Sequence, residues 1–144
     1  MSLPDLAVFL PGQPVPCARP RVINGRAYTP ADYARWKQGA ALVLRSQRVV
    51  IPGPVWVEIT VYHNRPISRP LHVSGDDWRT GGAHYAISRG DLDNYVKGVL
   101  DAMQDGGVLA NDRQVVHIVA SSRYAPAKGK PGIEVAVSAL TASE

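Results

Sequence analysis

The chain has little of what cross-linked or membrane-embedded proteins are built from. It holds one cysteine, Cys17, in 144 residues. A single cysteine excludes an internal disulfide framework and any cysteine-rich zinc site. It suits a reducing compartment, so a cytoplasmic protein is expected. No apolar run approaches the roughly 18 residues that a membrane-spanning helix requires. The opening Met1-Ser2-Leu3-Pro4-Asp5 lacks a basic start and a long apolar stretch, so no secretory leader is expected. No internal repeat and no linker divides the sequence, and 1–144 reads as one domain. A domain of that length buries a core without staples.

What is present is 45% hydrophobic residues, which argues against disorder, with 13 glycines and 12 prolines that point to many turns. Net charge is +4, unevenly spread. Residues 1–75 carry nine Lys/Arg against three Asp/Glu, and residues 76–144 carry seven against nine. A basic front half attracts polyanions, nucleic acid first among them. The plainer reading is a merely soluble surface. The acidic back half needs its own explanation.

Patterning predicts a short strand over 5–10, ended by Pro11-Gly12. Asn24-Gly25 predicts a hairpin turn, because both turn positions need positive φ. That ribbon would hold Arg19, Arg21 and Arg26 close together. Thr29 reads as a helix N-cap with Pro30 at the first helical position, opening a helix that runs to Arg48. Its apolar face is Tyr33, Trp36, Ala40, Val43 and Leu44. Residues 55–62 form a β-branched and aromatic strand, with Trp56 expected in the core beside Trp36. Residues 63–90 show no period and read as a long irregular loop, either mobile or functional. They hold Arg65, Arg69, Arg89, Trp78 and three of the four histidines. A second helix spans 91–105, with an apolar stripe of Leu92, Val96, Val99, Leu100 and Met103, and ends at Gly106-Gly107. Strands follow over 114–124 and 133–137, and the tail 141–144 is expected to fray. The fold class is therefore α+β, a mixed sheet packed with two main helices.

The chemistry concentrates on the second helix. At 100° per residue, Asp93, Lys97 and Asp101 fall within an arc of about 80° beside the apolar stripe. Structural roles account for each singly: Asp93 as an N-cap, Asp91 as a charge near the helix start, Lys97 as an i,i+4 partner. Asn111-Asp112 adds a third element. A short loop after the helix can return Asp112 toward the helix N-terminus, so that three carboxylates converge. Two carboxylates 6 Å apart repel by roughly 3 kcal/mol at an effective dielectric near 20. Three together call for a cation or a raised pKa. All-oxygen ligands favour Mg²⁺ or Mn²⁺ over zinc, the set that metal-assisted phosphodiester hydrolysis uses. The histidines show no ligand spacing. His117 is expected to be half-buried, and His84 lies seven residues before Asp91.

The run Asp91-Leu92-Asp93-Asn94-x-x-Lys97-x-x-x-Asp101-Ala102, then Asn111-Asp112-x-Gln114-Val115-Val116, resembles the RusA family of Holliday junction resolvases. Gly12-x-Pro14-x-Pro16-x-x-Arg19-Pro20-Arg21 resembles that family's front segment, and the likeness spans roughly residues 6–138. The resemblance implies a small homodimeric, Mg²⁺-dependent endodeoxyribonuclease, often of phage or prophage origin. Such enzymes cut four-way DNA junctions by paired nicks in recombination and repair. It implies Asp91, Asp93 and Asp112 as catalytic metal ligands and Lys97 as the catalytic lysine. Asp101 would orient Lys97. Asn111 stands where the family commonly has a further aspartate, and is expected to offer a neutral oxygen. Arg19, Arg21, Arg26, Arg65, Arg69 and Arg89 would grip DNA backbone. Competing readings are a structure-specific DNA-binding module without catalysis, a nuclease for flaps or forks, and a nucleotide-sugar enzyme. The chain is short for the last.

Overall fold

The computed structural model describes residues 3–18, 21–28, 30–64, 86, 90–125 and 130–140. Strand β1 is Leu6–Pro11, and β2 (Arg21–Ile23) and β3 (Arg26–Tyr28) form a separate ribbon. Helix α1 is Ala31–Ser46, β4 is Val55–His63, and α2 is Leu92–Asp105. A 3-10 turn at Asp112–Gln114 leads into β5 (Val115–Tyr124), and β6 is Gly132–Ala139. The main sheet has the order β1-β6-β4-β5. Its β4–β5 pair is parallel, and β6 runs antiparallel to both β1 and β4. This is the expected α+β arrangement with a mixed sheet and two helices. Of the irregular stretch 63–90, only residues 63, 64, 86 and 90 are described, and 141–144 lie outside the described residues.

Alternation decides which face of the sheet is covered. Along β4, Val55, Val57, Ile59, Val61 and His63 are buried, and Trp56 and Glu58 between them are exposed. Period-2 geometry sends these two sets to opposite faces. The buried set joins Leu6, Leu10, Ile133, Val135 and Val137 with Leu44, Val99, Ala102 and Met103 from the helices in one core. Trp56, expected in that core, is 41% exposed and packs its ring 4.5 Å from His117 on the other face. Large apolar surface suggested burial; strand parity decided the side. His117 is exposed rather than half-buried.

The Asn24-Gly25 turn forms as predicted, with φ of 52° and 76° and Ile23 paired with Arg26. Helix α1 begins one residue later than expected, with Pro30 at the N-cap position and no side-chain cap bond. Thr29 lies outside the described residues. The helix ends at Ser46, and Arg48 takes a positive φ of 56°. Trp36 and Val43 pack on the core while partly buried, whereas Ala41 is buried outright. In α2 the fully covered residues are Tyr95, Gly98, Val99, Ala102 and Met103. Leu92, Val96 and Leu100 flank them half-buried, so the buried arc is rotated from the predicted stripe.

The two helices meet closely. A Cβ on Gly106 would lie 2.9 Å from the Ala41 carbonyl oxygen, and one on Gly98 would lie 3.3 Å from both Tyr33 and Trp36. Glycine at these positions lets α1 approach α2 within backbone contact. No helix among the described residues is long and apolar enough to cross a membrane.

Candidate functional site

The parallel β4–β5 pair is bridged by α2, so the residue just before β5 returns along the flank of that helix. Asp112 opens the 3-10 turn that makes this return, three positions before β5. Its turn is held on three sides. Asn111 caps it, its Oδ1 accepting from the Arg113 amide at 2.8 Å. The Gln114 Oε1 accepts from the Ala110 and Asn111 amides at 2.8 and 3.2 Å. The Gln114 Nε2 donates to the Ile51 and Gly53 carbonyls at 2.7 and 2.8 Å. One side-chain amide thus fixes the Asp112 turn to the segment that enters β4. Nothing in the residue spacing singled out Gln114 for this. The Asn111 oxygen, expected to be spare, is spent on the cap.

Lys97 is where the site comes together. Its Nζ lies 3.2 Å from Asp101 Oδ1 and 3.9 Å from Asp112 Oδ2. The i,i+4 pairing with Asp101 is the one the helix pattern predicted. Asp101 Oδ2 accepts from the Tyr33 hydroxyl at 2.8 Å and lies 4.0 Å from the Cys17 sulfur. The Cys17 amide donates to the Asn94 carbonyl at 3.0 Å, docking the proline-rich segment on α2. The hydrogen bond and charge of Asp101, with a smaller contribution from Asp112, hold the Lys97 ammonium above the usual lysine range. Burial, then hydrogen bonding to Cys17 and Asp101, pushes the Tyr33 hydroxyl well above its ordinary pKa. Lys97 is therefore a cation at neutral pH, and Tyr33 a donor.

Asp91 and Asp93 sit at the other end of the helix. Asp91 is the N-cap residue of α2 with no side-chain cap bond, and Asp93 is in the first turn. The cap position that the structural reading offered to Asp93 belongs to Asp91. Both are exposed, and the Asp91 carbonyl, not its carboxylate, accepts from the Asn94 amide at 3.1 Å. Asp93 lies four residues, about 6 Å of helix axis, before Lys97. The predicted convergence of three carboxylates is not found: among the described residues, no group of three acidic, histidine or cysteine side chains is close enough to grip one ion. The reason is directional. Lys97 reaches one turn along α2 to Asp101, and the clamp on Gln114 holds Asp112 within 3.9 Å of the Lys97 ammonium. In donor chemistry Asp91, Asp93 and Asp112 fit a hard divalent cation, since every oxygen is a carboxylate's.

Of the six arginines expected to contact DNA, Arg26 is described and exposed on β3. Arg21 is in β2. Arg19, Arg65, Arg69 and Arg89, with His84 and Trp78, lie outside the described residues. His63, inside the stretch read as irregular, ends β4 fully buried, 3.0 Å from the Ser122 hydroxyl and edge-on to Tyr95.

The chain is 33% identical over 137 residues to the uncharacterized protein YqaN of Bacillus subtilis (strain 168), covering 91% of this chain and 94% of that protein. Residues 11–138 match the family described as endodeoxyribonuclease RusA, a span that holds the proline-rich segment, α1, α2 and the Asp112 turn. Enzymes of this kind hydrolyse DNA phosphodiester bonds in branched substrates and generally use a divalent metal. A basic front half, an acidic helix with its lysine, and a returning aspartate beside that lysine all belong to one inheritance: the chain is a member of the RusA endodeoxyribonuclease family.

Proposed function

We propose that the protein resolves four-way DNA junctions by paired nicks, as a Mg²⁺-dependent homodimer. The observation that carries this reading is Lys97 Nζ lying 3.9 Å from Asp112, a residue 15 positions away in a different element. Family membership supports the substrate class. A twofold dimer presents two sites symmetrically to opposed strands, as paired nicking requires.

Asp91, Asp93 and Asp112 would supply carboxylate oxygens to Mg²⁺, or Mn²⁺ in its place, one or two to an ion with substrate phosphate and water completing its shell; when bound, the metal would polarise the scissile phosphate and lower the pKa of a water. The chain's own residues do the rest. Lys97 keeps its charge at neutral pH and offers it to the phosphate or the leaving oxygen. Asp101 orients Lys97. Asn111 and Gln114 hold the backbone that presents Asp112. Arg19, Arg21, Arg26, Arg65, Arg69 and Arg89 contact backbone phosphates, which positions DNA without reading sequence.

The test is a labelled four-way junction, a matching duplex and a flap, each incubated with and without Mg²⁺ and the products sized. The reading expects symmetric nicks in the junction only with metal, and loss of nicking in Asp93→Asn. Flap cleavage with an intact junction would reassign the substrate. Near wild-type rates in Asp93→Asn would remove that residue from the site.

A further inference from the structure

Asp101 offers two oxygens to donors from three different parts of the chain. Oδ1 takes Lys97, and Oδ2 takes the Tyr33 hydroxyl with the Cys17 thiol beside it. Lys97 is 55% exposed, and a long flexible side chain at that exposure is held only by what it pairs with. Two carboxylates compete for it, Asp101 at 3.2 Å and Asp112 at 3.9 Å. The balance between them depends on where the Asp101 carboxylate points. Tyr33 sets that direction. Its ring is 3% exposed, lies against Gly98 where a Cβ would meet it at 3.3 Å, and stacks with Trp36. A ring so confined presents its hydroxyl at one place. The bond joins residues 68 positions apart, from α1 to α2.

We propose that Tyr33 is a positioning residue of the nuclease site: acting through Asp101, it keeps Lys97 from closing onto Asp112, so that both remain available to substrate. This rests on the reading of Lys97 as the site's cation. Without the Tyr33 hydroxyl, the Asp101 carboxylate turns freely, Lys97 shifts toward Asp112, and the two neutralise each other. Tyr33 touches no reacting atom in this scheme.

The experiment compares wild type, Tyr33→Phe, Asp101→Asn and the double variant. Single-turnover nicking of a four-way junction is measured with Mg²⁺, and junction affinity in EDTA. Tyr33→Phe should nick about tenfold more slowly, a factor equivalent to about 1.4 kcal/mol. Asp101→Asn should be at least as slow, and the double no slower than Asp101→Asn, because one acts through the other. Asp101→Glu should recover part of the rate, and affinity in EDTA should be unchanged throughout. Wild-type nicking by Tyr33→Phe would overturn the proposal. So would losses that multiply in the double variant, or a loss of affinity matching the loss of rate. Wild-type nicking by Lys97→Met would instead remove the underlying reading of Lys97.

Discussion

Tyr33 and Lys97 both pair with Asp101, and each holds its proton more tightly in the folded protein than in the unfolded one. Both Tyr33 and Lys97 have raised pKa values, Tyr33 through burial first and Lys97 through the hydrogen bond to Asp101 first. A raised folded pKa contributes stability that is complete below the unfolded value, about 10 for both groups, and is lost as pH climbs through the folded value. Melting temperature should therefore be insensitive to the titration of Tyr33 and Lys97 at neutral pH and fall above about pH 10. Tyr33→Phe should make the alkaline fall shallower, measured by melting curves from pH 7 to 11. An unchanged slope would mean that Tyr33 titrates as an ordinary tyrosine. At this scale the sequence was partly readable. Lys97 and Asp101 are four apart on a helix, and their pairing follows from the period. Tyr33 was legible only as an apolar-face residue, because nothing local connects it to a carboxylate 68 positions away. Asn111 showed its amide but not the cap that consumes it.

At the scale of elements, the site depends on how closely α1 lies on α2. Gly106 marks the tightest approach, with the Ala41 carbonyl and the Leu44 Cβ 2.9 and 3.0 Å from where a Cβ would stand. Backbone cannot yield as a flexible side chain does. Gly106→Ala should cost about 1–3 kcal/mol of stability as overpacking, measured by urea unfolding. An unchanged midpoint would show that the helices separate freely at that end. These elements were largely written in the sequence. The Asn24-Gly25 hairpin, the β4 alternation and the Gly106-Gly107 stop each rest on local stereochemistry. Trp56 was misplaced because side-chain size says how much apolar surface exists, not which face of the strand carries it. The return of Asp112 to the middle of α2 rather than its start came from the parallel β4–β5 pairing and the Gln114 clamp, both long-range.

For the whole molecule, charge separates into a basic front and an acidic helix. Phosphate contacts release counterions, so junction affinity should fall steeply with salt, by a log–log slope of about −0.9 per contact for duplex arms. Arg26→Ala should reduce that slope by about one unit and weaken all DNA substrates alike. A flat salt response would argue that the basic half does not meet DNA. The open side of the sheet bears exposed Phe9, Trp56 and Val119, an apolar surface away from the two helices.

In the proposed function Asp112, brought to Lys97 by its turn, takes part in phosphodiester hydrolysis. Single-turnover cleavage of a four-way junction by Asp112→Asn, with Mg²⁺ and folding verified by circular dichroism, addresses it directly. The rate should fall by at least about a hundredfold with junction binding retained. Cleavage within a few-fold of wild type would contradict it.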